Sequence, residues 1–197
     1  YRGQPDKYGF SRKIDGRYQS IGYDTVAEQA DRFAAYLKSV GIQKGDRVAV
    51  LSENRIEWVL ADMATLKLGA INVPLYPSTP ANQIAYILQN SEAKAIVTSS
   101  RLQTDKIRKV KQELPHLTHL VSLNPLEKTE ENECTFSDAL KLGEEMLKER
   151  PDFLHGISIS EGDIATLIYT SGTTGNPKGV MLTHRNLCEN VKSCSAL

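Results

Sequence analysis

Short apolar runs alternate with amphipathic segments along most of this sequence, and this alternation constrains the fold more than any other feature. The runs at 47–52, 70–73, 93–98 and 117–123 have the length and composition typical of strands that are buried on both faces. The segments between them carry apolar residues at helical spacing. The alternation predicts the α/β class, with right-handed βαβ units building a mainly parallel sheet flanked by helices.

Capping and stop residues predict where the helices begin and end. Thr25 and Glu28 have capping-box spacing, and Gly41 follows the last apolar residue of that segment. Met63 is expected to face inward on the next helix, and Thr79 is expected to cap a helix whose first residue is Pro80. Including the first two of these, helices are predicted over 23–40, 53–67, 102–114 and 136–150, with Thr183 as the N-cap of a last one.

Charge and hydropathy exclude two classes of partner. Twenty-four Lys and Arg balance twenty-four Asp and Glu, so the chain lacks the basic footprint typical of nucleic-acid binders, and we expect no nucleic-acid partner. The four basic residues at 106, 108, 109 and 111 are interpreted as the solvated face of a helix. The uncharged stretch 68–91 is interrupted by Pro74, Pro77 and Pro80, so it is not predicted to span a membrane.

The cysteines bear on the cellular compartment of the protein, and the chain ends bear on whether the sequence is an excerpt. Cys134, Cys188 and Cys194 are odd in number and lack CxxC spacing, which favours neither a disulfide framework nor a zinc site. A reducing cytosol is therefore expected. Tyr1 is not an initiator methionine and Leu197 falls within a helical pattern, so we expect an excerpt of a longer protein.

The segment 164–184, IATLIYTSGTTGNPKGVMLTH, contains the strongest chemical signal. An apolar run ends at Tyr169 and apolar residues resume at Val180. The loop between them is rich in glycines that permit positive φ and close backbone approach, in hydroxyl donors, and in one cation: Gly172, Gly175 and Gly179; Ser171, Thr173 and Thr174; Lys178. Such a loop can wrap a polyphosphate. On composition alone, a plain hairpin turn explains it equally well.

This loop does not have the pattern of a Walker A motif. That motif places Ser or Thr directly after the lysine and continues into a helix. Here Pro177 precedes Lys178 and Gly179 follows it, and the next residues are typical of a strand. No hydroxyl stands beside the lysine to hold magnesium, which argues against the usual P-loop mechanism.

The whole string at 169–186, YTSGTTGNPKGVMLTHRN, resembles the phosphate-loop signature of the adenylate-forming superfamily, which includes AMP-dependent acyl-CoA synthetases. Upstream, EW at 57–58, NVPLYP at 72–77 and QIAYIL at 83–88 resemble the long-chain fatty acid CoA ligase branch. The resemblance covers nearly the whole chain from Tyr18. It implies that 1–197 is the N-terminal portion of an AMP-binding domain that stops after the phosphate loop, with the C-terminal domain absent.

The resemblance also implies an activity. The enzyme would use ATP to activate a long-chain fatty acid as an acyl-adenylate, release pyrophosphate, and transfer the acyl group to coenzyme A. Lys178 would be catalytic and the hydroxyl of Thr170 would be a ligand of Mg²⁺. ATP would be bound by Thr170, Ser171, Gly172, Thr173, Thr174, Gly175 and Lys178. The partners would be small molecules, and the setting would be the cytoplasm, with scope for peripheral contact with a membrane.

Several alternatives stay open at this point. Another adenylating activity, on aryl or amino acids, fits the same loop, and so does a nucleotide-binding module without catalysis. For Trp58 a place in the core is favoured over a place in a pocket, and His184 and Asn186 are interpreted as helix-start residues rather than catalytic ones. The family's later adenine, ribose and hinge segments do not occur in this sequence, so the 197 residues alone are expected to be inactive.

Overall fold

Nine strands and six helices follow one another in the described residues, 8–170 and 175–195, of the computed structural model. The strands are β1 (Tyr8–Ile14), β2 (Arg17–Gly22), β3 (Arg47–Leu51), β4 (Ile71–Leu75), β5 (Ala95–Thr98), β6 (His119–Ser122), β7 (Glu133–Thr135), β8 (Ile164–Thr170) and β9 (Lys178–Thr183). The helices are α1 (Tyr23–Ser39), α2 (Ile56–Lys67), α3 (Ala81–Ser91), α4 (Arg101–Val110), α5 (Phe136–Glu149) and α6 (His184–Ser195), with a 3-10 turn at Lys111–Glu113.

Seven of these strands form one sheet in the order β7-β6-β5-β3-β4-β8-β9, while β1 and β2 form a separate antiparallel hairpin. Every neighbouring pair in the large sheet is parallel except β8 and β9. The predicted α/β class with a mainly parallel sheet is confirmed. The hairpin β1–β2 and the short strand β7 were not predicted.

Alternate residues of the central strand enter two separate cores. Val48 and Val50 of β3 belong to a core shared with α1, α2 and α5, whereas Ala49 and Leu51 belong to a second core shared with α3 and α4. Burial on both faces explains why β3 is an uninterrupted apolar run.

The chain changes direction across the sheet at β3. From β3 it adds β4 on one side, then returns past β3 to add β5, β6 and β7 on the other. In open α/β sheets, ligands bind in the crevice at the carboxyl ends of the strands near such a switch point. The carboxyl ends of β3, β4, β5 and β8 share one edge because these strands are parallel.

The predicted capping box of α1 and the predicted starts of α2 and α3 are wrong. Gly22 is the N-cap of α1, so Thr25 lies inside the first turn and no capping box forms there, although Gly41 does end this segment with φ of +91°. Helix α2 begins only at Ile56, because the chain bends at Asn54 and Arg55 is fully extended. Pro80, rather than Thr79, is the N-cap of α3.

Two predictions about side-chain environment are also wrong. Met63 is 44% exposed, because the buried face of α2 is formed instead by Leu60, Ala61, Ala64 and Thr65. The basic cluster is not a uniformly solvated face either. Arg108 pairs with the fully buried carboxylate of Glu133 at 2.5 Å, and Lys106 donates to backbone carbonyls.

All three cysteines are free thiols. Among the described residues, no helix combines the length and the apolar character needed to cross a bilayer.

Candidate functional site: the phosphate loop

The glycine- and hydroxyl-rich loop joins the ends of β8 and β9. The two strands pair in antiparallel register, with Tyr169 opposite Gly179 and Thr170 opposite Lys178. The loop therefore leaves and re-enters the sheet at adjacent positions. Four of the predicted ATP-binding residues, Ser171, Gly172, Thr173 and Thr174, lie outside the described residues.

Three predicted site residues are described. Thr170 is the last residue of β8 and Lys178 the first of β9, and both are exposed. Gly175 is also exposed and has φ of +148°, a conformation that favours glycine. The structure thus brings the hydroxyl-bearing Thr170 and the cationic Lys178 to facing positions at the base of the loop.

The loop borders a cleft of about 250 Å³ at the carboxyl edge of the sheet. Gly175 and Pro177 line one side of the cleft, and Tyr76, Thr79 and Gln83 line the other. A second cleft, of about 220 Å³, lies on the β3 side and shares Tyr76 and Tyr169 with the first; it is also lined by Ser52, Asn54, Trp58 and Ile168. Trp58 is half-buried and packs against the first core as well. Its side chain therefore lies partly in the core and partly in a pocket.

The segment after β4, which forms the far wall of the first cleft, is held by α4. Gln103 Nε2 donates to the carbonyl of Pro77 at 3.1 Å, and Lys106 Nζ donates to the same carbonyl at 3.0 Å. Gln103 is only 3% exposed, so its bond fixes this wall from within the fold. Sequence reasoning missed both residues because helical spacing does not reveal which distant carbonyl a side chain reaches.

Gly179 is needed for a different reason from the predicted one. It does not have positive φ; instead, a Cβ at this position would lie 3.1 Å from Cζ of the Tyr169 ring and 3.4 Å from its Oη. The absence of a side chain at 179 makes room for the ring opposite. Burial raises the pKa of Tyr169 above its ordinary value, so this phenol is a neutral donor at physiological pH.

The start of α6 is built as a reciprocal cap. The Asn186 N–H donates to Thr183 Oγ1 at 3.2 Å, while Thr183 N–H and Oγ1–H both bond to Asn186 Oδ1 at 2.9 Å. Thr183 is thereby confirmed as N-cap, and Asn186 has the predicted helix-start role. The His184 N–H is used for backbone bonding to Asp163.

The donor set for a divalent metal is sparse in the described part of the chain. No group of three or more His, Cys, Asp or Glu side chains is placed there to hold a metal ion. Thr170 offers one exposed hydroxyl oxygen. Mg²⁺ commonly takes one or two protein oxygens together with substrate phosphates and waters, and such a partial site fits Thr170.

Comparison with known proteins identifies the family. Residues 2–197 match the family model described as AMP-binding enzyme. The chain belongs to this family. It is 32% identical over 200 residues to a long-chain-fatty-acid–CoA ligase of Mycobacterium bovis, covering 99% of this chain and 32% of that protein. It is 37% identical over 187 residues to fatty acyl-CoA synthetase A of Dictyostelium discoideum, covering 89% of this chain and 26% of that protein.

A solved structure supports the same assignment. An anthranilate CoA ligase in complex with anthranoyl-AMP superposes with a TM-score of 0.77 at 26% identity, covering 97% of this chain and 35% of that one. The chain thus spans about a third of the length of the relatives that it matches. The predicted resemblance to AMP-dependent acyl-CoA synthetases is confirmed.

Proposed function

We propose that this chain is the N-terminal portion of the AMP-binding domain of an ATP-dependent, AMP-forming ligase that converts a long-chain fatty acid to its CoA thioester. In the first step a carboxylate oxygen attacks the α-phosphorus of ATP, and the bond to pyrophosphate breaks. In the second, the thiol of coenzyme A attacks the acyl carbon, and AMP leaves. The observation that carries the proposal is the placement of Thr170 and Lys178 at the carboxyl edge of a parallel sheet, in a member of the AMP-binding enzyme family.

The phosphate loop would act on the leaving group of the first step. Negative charge accumulates on the departing pyrophosphate, and pre-aimed donors and cations stabilise that charge. Lys178 and the loop residues 170–175 would hold the β- and γ-phosphates. Because Thr170 and Lys178 are paired across the ladder, both groups would approach the phosphates from the same end of the β8–β9 hairpin.

Magnesium is the expected companion of the nucleotide. When bound, it would neutralise phosphate charge. Thr170 Oγ1 would contribute one oxygen ligand, and the other ligands would be phosphate oxygens, water and groups outside the described residues.

Long-chain acids are the proposed substrates. The relatives named above that share 32–37% identity with this chain are named for long-chain or fatty acyl substrates. Activation of aryl acids is the second candidate, favoured by the superposition on an anthranilate CoA ligase at 26% identity. The proposed setting is the cytoplasm, with peripheral contact with a membrane, because long acyl chains partition into bilayers.

The test uses the full-length protein that carries this chain, incubated with ATP, Mg²⁺ and coenzyme A. Palmitate and oleate are compared with acetate, anthranilate and amino acids, and nucleotide products are separated. AMP and pyrophosphate formed fastest with palmitate or oleate support the proposal. Faster turnover of anthranilate would favour aryl activation, and nucleotide binding without turnover would leave a non-catalytic module.

A further inference from the structure

Strand β8 is attached to the parallel part of the sheet over a very short distance. Its pairing with β4 is confined to Asn72 and Thr166, supported by a bond from Thr166 Oγ1 to the Asn72 carbonyl at 3.0 Å. The last residues of β8, from which the phosphate loop departs, extend past this point. Something other than the β4 ladder must fix them.

Pro74 accounts for the early end of this pairing. The Ile71 N–H bonds to the Asp46 carbonyl ahead of β3, and successive residues of a strand direct their backbone groups to alternate sides. Residues 72 and 74 of β4 therefore face β8. Residue 74 would donate the next bond, but proline has no N–H, so the ladder stops.

Tyr169 supplies the missing attachment. Its Oη donates to Asn90 Oδ1 at 2.6 Å, which ties the end of β8 to the last turn of α3. Its ring packs against the second core and occupies the space left by Gly179 on β9. One side chain thus contacts α3, the second core and the facing strand, one residue before the loop begins.

We propose that Tyr169 is a positioning residue for the nucleotide phosphates, acting through its hydrogen bond to Asn90 to fix the base of the phosphate loop. The inference rests on the proposed function. If the tether is lost, the end of β8 shifts relative to α3, and Thr170 and Lys178 shift with it. The effect should fall on ATP, because Thr170 and Lys178 are the groups proposed to hold its phosphates.

Two variants in the full-length protein remove the same bond from either end. Tyr169→Phe deletes only the phenolic hydroxyl, and Asn90→Ala deletes the acceptor at an exposed position of α3. Each is expected to raise the KM for ATP about 3- to 10-fold, the range of a single neutral hydrogen bond. The double variant should be no worse than Tyr169→Phe alone, because that change already removes the bond to Asn90.

The matched control is Tyr86→Phe. Tyr86 also lies on α3, is half-buried, packs against the second core and interacts electrostatically with Tyr169, but its hydroxyl is not part of the hydrogen bond to Asn90. This variant should leave the KM for ATP unchanged. In all variants, thioester formation from preformed acyl-adenylate should match wild type, because pyrophosphate has already left. Asn90→Asp, which keeps an acceptor, should restore most of the affinity for ATP.

The outcomes separate the two proposals. A wild-type protein that releases AMP and pyrophosphate, with the KM for ATP raised in both tether variants, supports the positioning role. The same active wild type with an unchanged KM for ATP in both variants overturns it and leaves the proposed function standing. An equal loss of kcat/KM for ATP, the fatty acid and coenzyme A in the variants also overturns it, in favour of a general structural role. A wild type without pyrophosphate release overturns the proposed function, and the positioning role with it.

Discussion

Lys178 stands across the β8–β9 ladder from Thr170, with an exposed side chain that forms no ion pair with any described carboxylate. If its ammonium meets the β- or γ-phosphate, Lys178→Ala removes a charge-assisted bond worth about 1.5–3 kcal/mol. The first half-reaction should then slow about 10- to 150-fold, with the second much less affected. Pyrophosphate release from the full-length variant measures the first, and thioester formation from preformed acyl-adenylate measures the second.

Lys109→Ala is the control for this prediction, since Lys109 is also an exposed lysine but lies on α4, away from the loop. It should leave both half-reactions unchanged. A folded Lys178→Ala protein with a normal rate of pyrophosphate release would show that this cation merely solvates a hairpin.

At the residue scale, residue types alone left a phosphate loop and a plain hairpin turn equally open, and only the resemblance of the whole string at 169–186 favoured the phosphate loop. The reason for Gly179 was missed, because the Tyr169 ring that needs the space lies ten residues away along the chain and is brought near only by the register of β8 and β9. Which side chains oppose one another depends on register, and a single sequence leaves register open.

Among the elements, α1 and α5 pack backbone to backbone at Gly143. A Cβ at this position would lie 1.8 Å from the backbone oxygen of Arg32, and backbone cannot move aside as a flexible side chain can. Gly143→Ala should therefore lower the free energy of unfolding by about 2–3 kcal/mol. In an exposed helix the same change would stabilise by about 1 kcal/mol, so the sign alone distinguishes the two cases in urea denaturation.

The control on the same helix is Lys141→Ala, whose side chain is 71% exposed. It should change the unfolding free energy by no more than about 0.5 kcal/mol. If Gly143→Ala were as stable as wild type, the two helices would have to lie farther apart than described.

The ion pair that joins α4 to β7 makes a prediction about pH. Burial raises the pKa of Glu133, but hydrogen bonds from Arg108 and the Glu130 N–H outweigh it, so the pKa lies below its ordinary value. A carboxyl whose pKa is lower in the folded state stabilises the fold above its unfolded pKa, and that stability is lost as pH falls through the folded value. Unfolding free energy should thus decline as the pH drops below about 5.

Glu133→Gln tests this dependence, because the amide does not titrate. The variant should be less stable than wild type at pH 7, and its stability should fall less steeply on acidification. Equal slopes for the two proteins in urea titrations from pH 7 to pH 3 would contradict the assignment to Glu133.

At this scale, hydrophobic periodicity predicted most elements but few of their ends. The predicted strand at 47–52 and the helix at 136–150 agree with β3 and α5 to within one residue, because each is a strongly patterned segment. Helix α2 starts three residues later than predicted, because Arg55 is held outside the helix. Its side chain bonds to Glu57, Ser99 and Asn124, and these contacts join three separate loops. Short β7 was missed because its three residues pair with β6 without a pattern of their own.

For the whole molecule, the length of its relatives leads to a prediction about activity. The 197 residues span about a third of those proteins and contain neither an adenine nor a ribose segment of the family pattern. Adenylation requires the α-phosphate to be held in line with a carboxylate, and misplaced reactants lose most of the positional advantage. A protein of these residues alone should give no acyl-hydroxamate above a protein-free control when ATP, palmitate and hydroxylamine are supplied. Clear product would place the complete site within this chain.

The proline in β4 also matters while the protein is being made. Thr166 follows Asn72 by 94 residues, so the ribosome needs roughly 5 to 20 seconds to deliver the partner of this strand after β4 itself has emerged. During that interval the open side of β4 is available to any other extended chain. The missing N–H of Pro74 removes one of the few backbone donors on that side, which makes wrong pairing in a crowded nascent state less favourable. The feature that shortens the β8 ladder in the finished fold therefore also leaves one donor fewer for wrong pairing in the unfinished one.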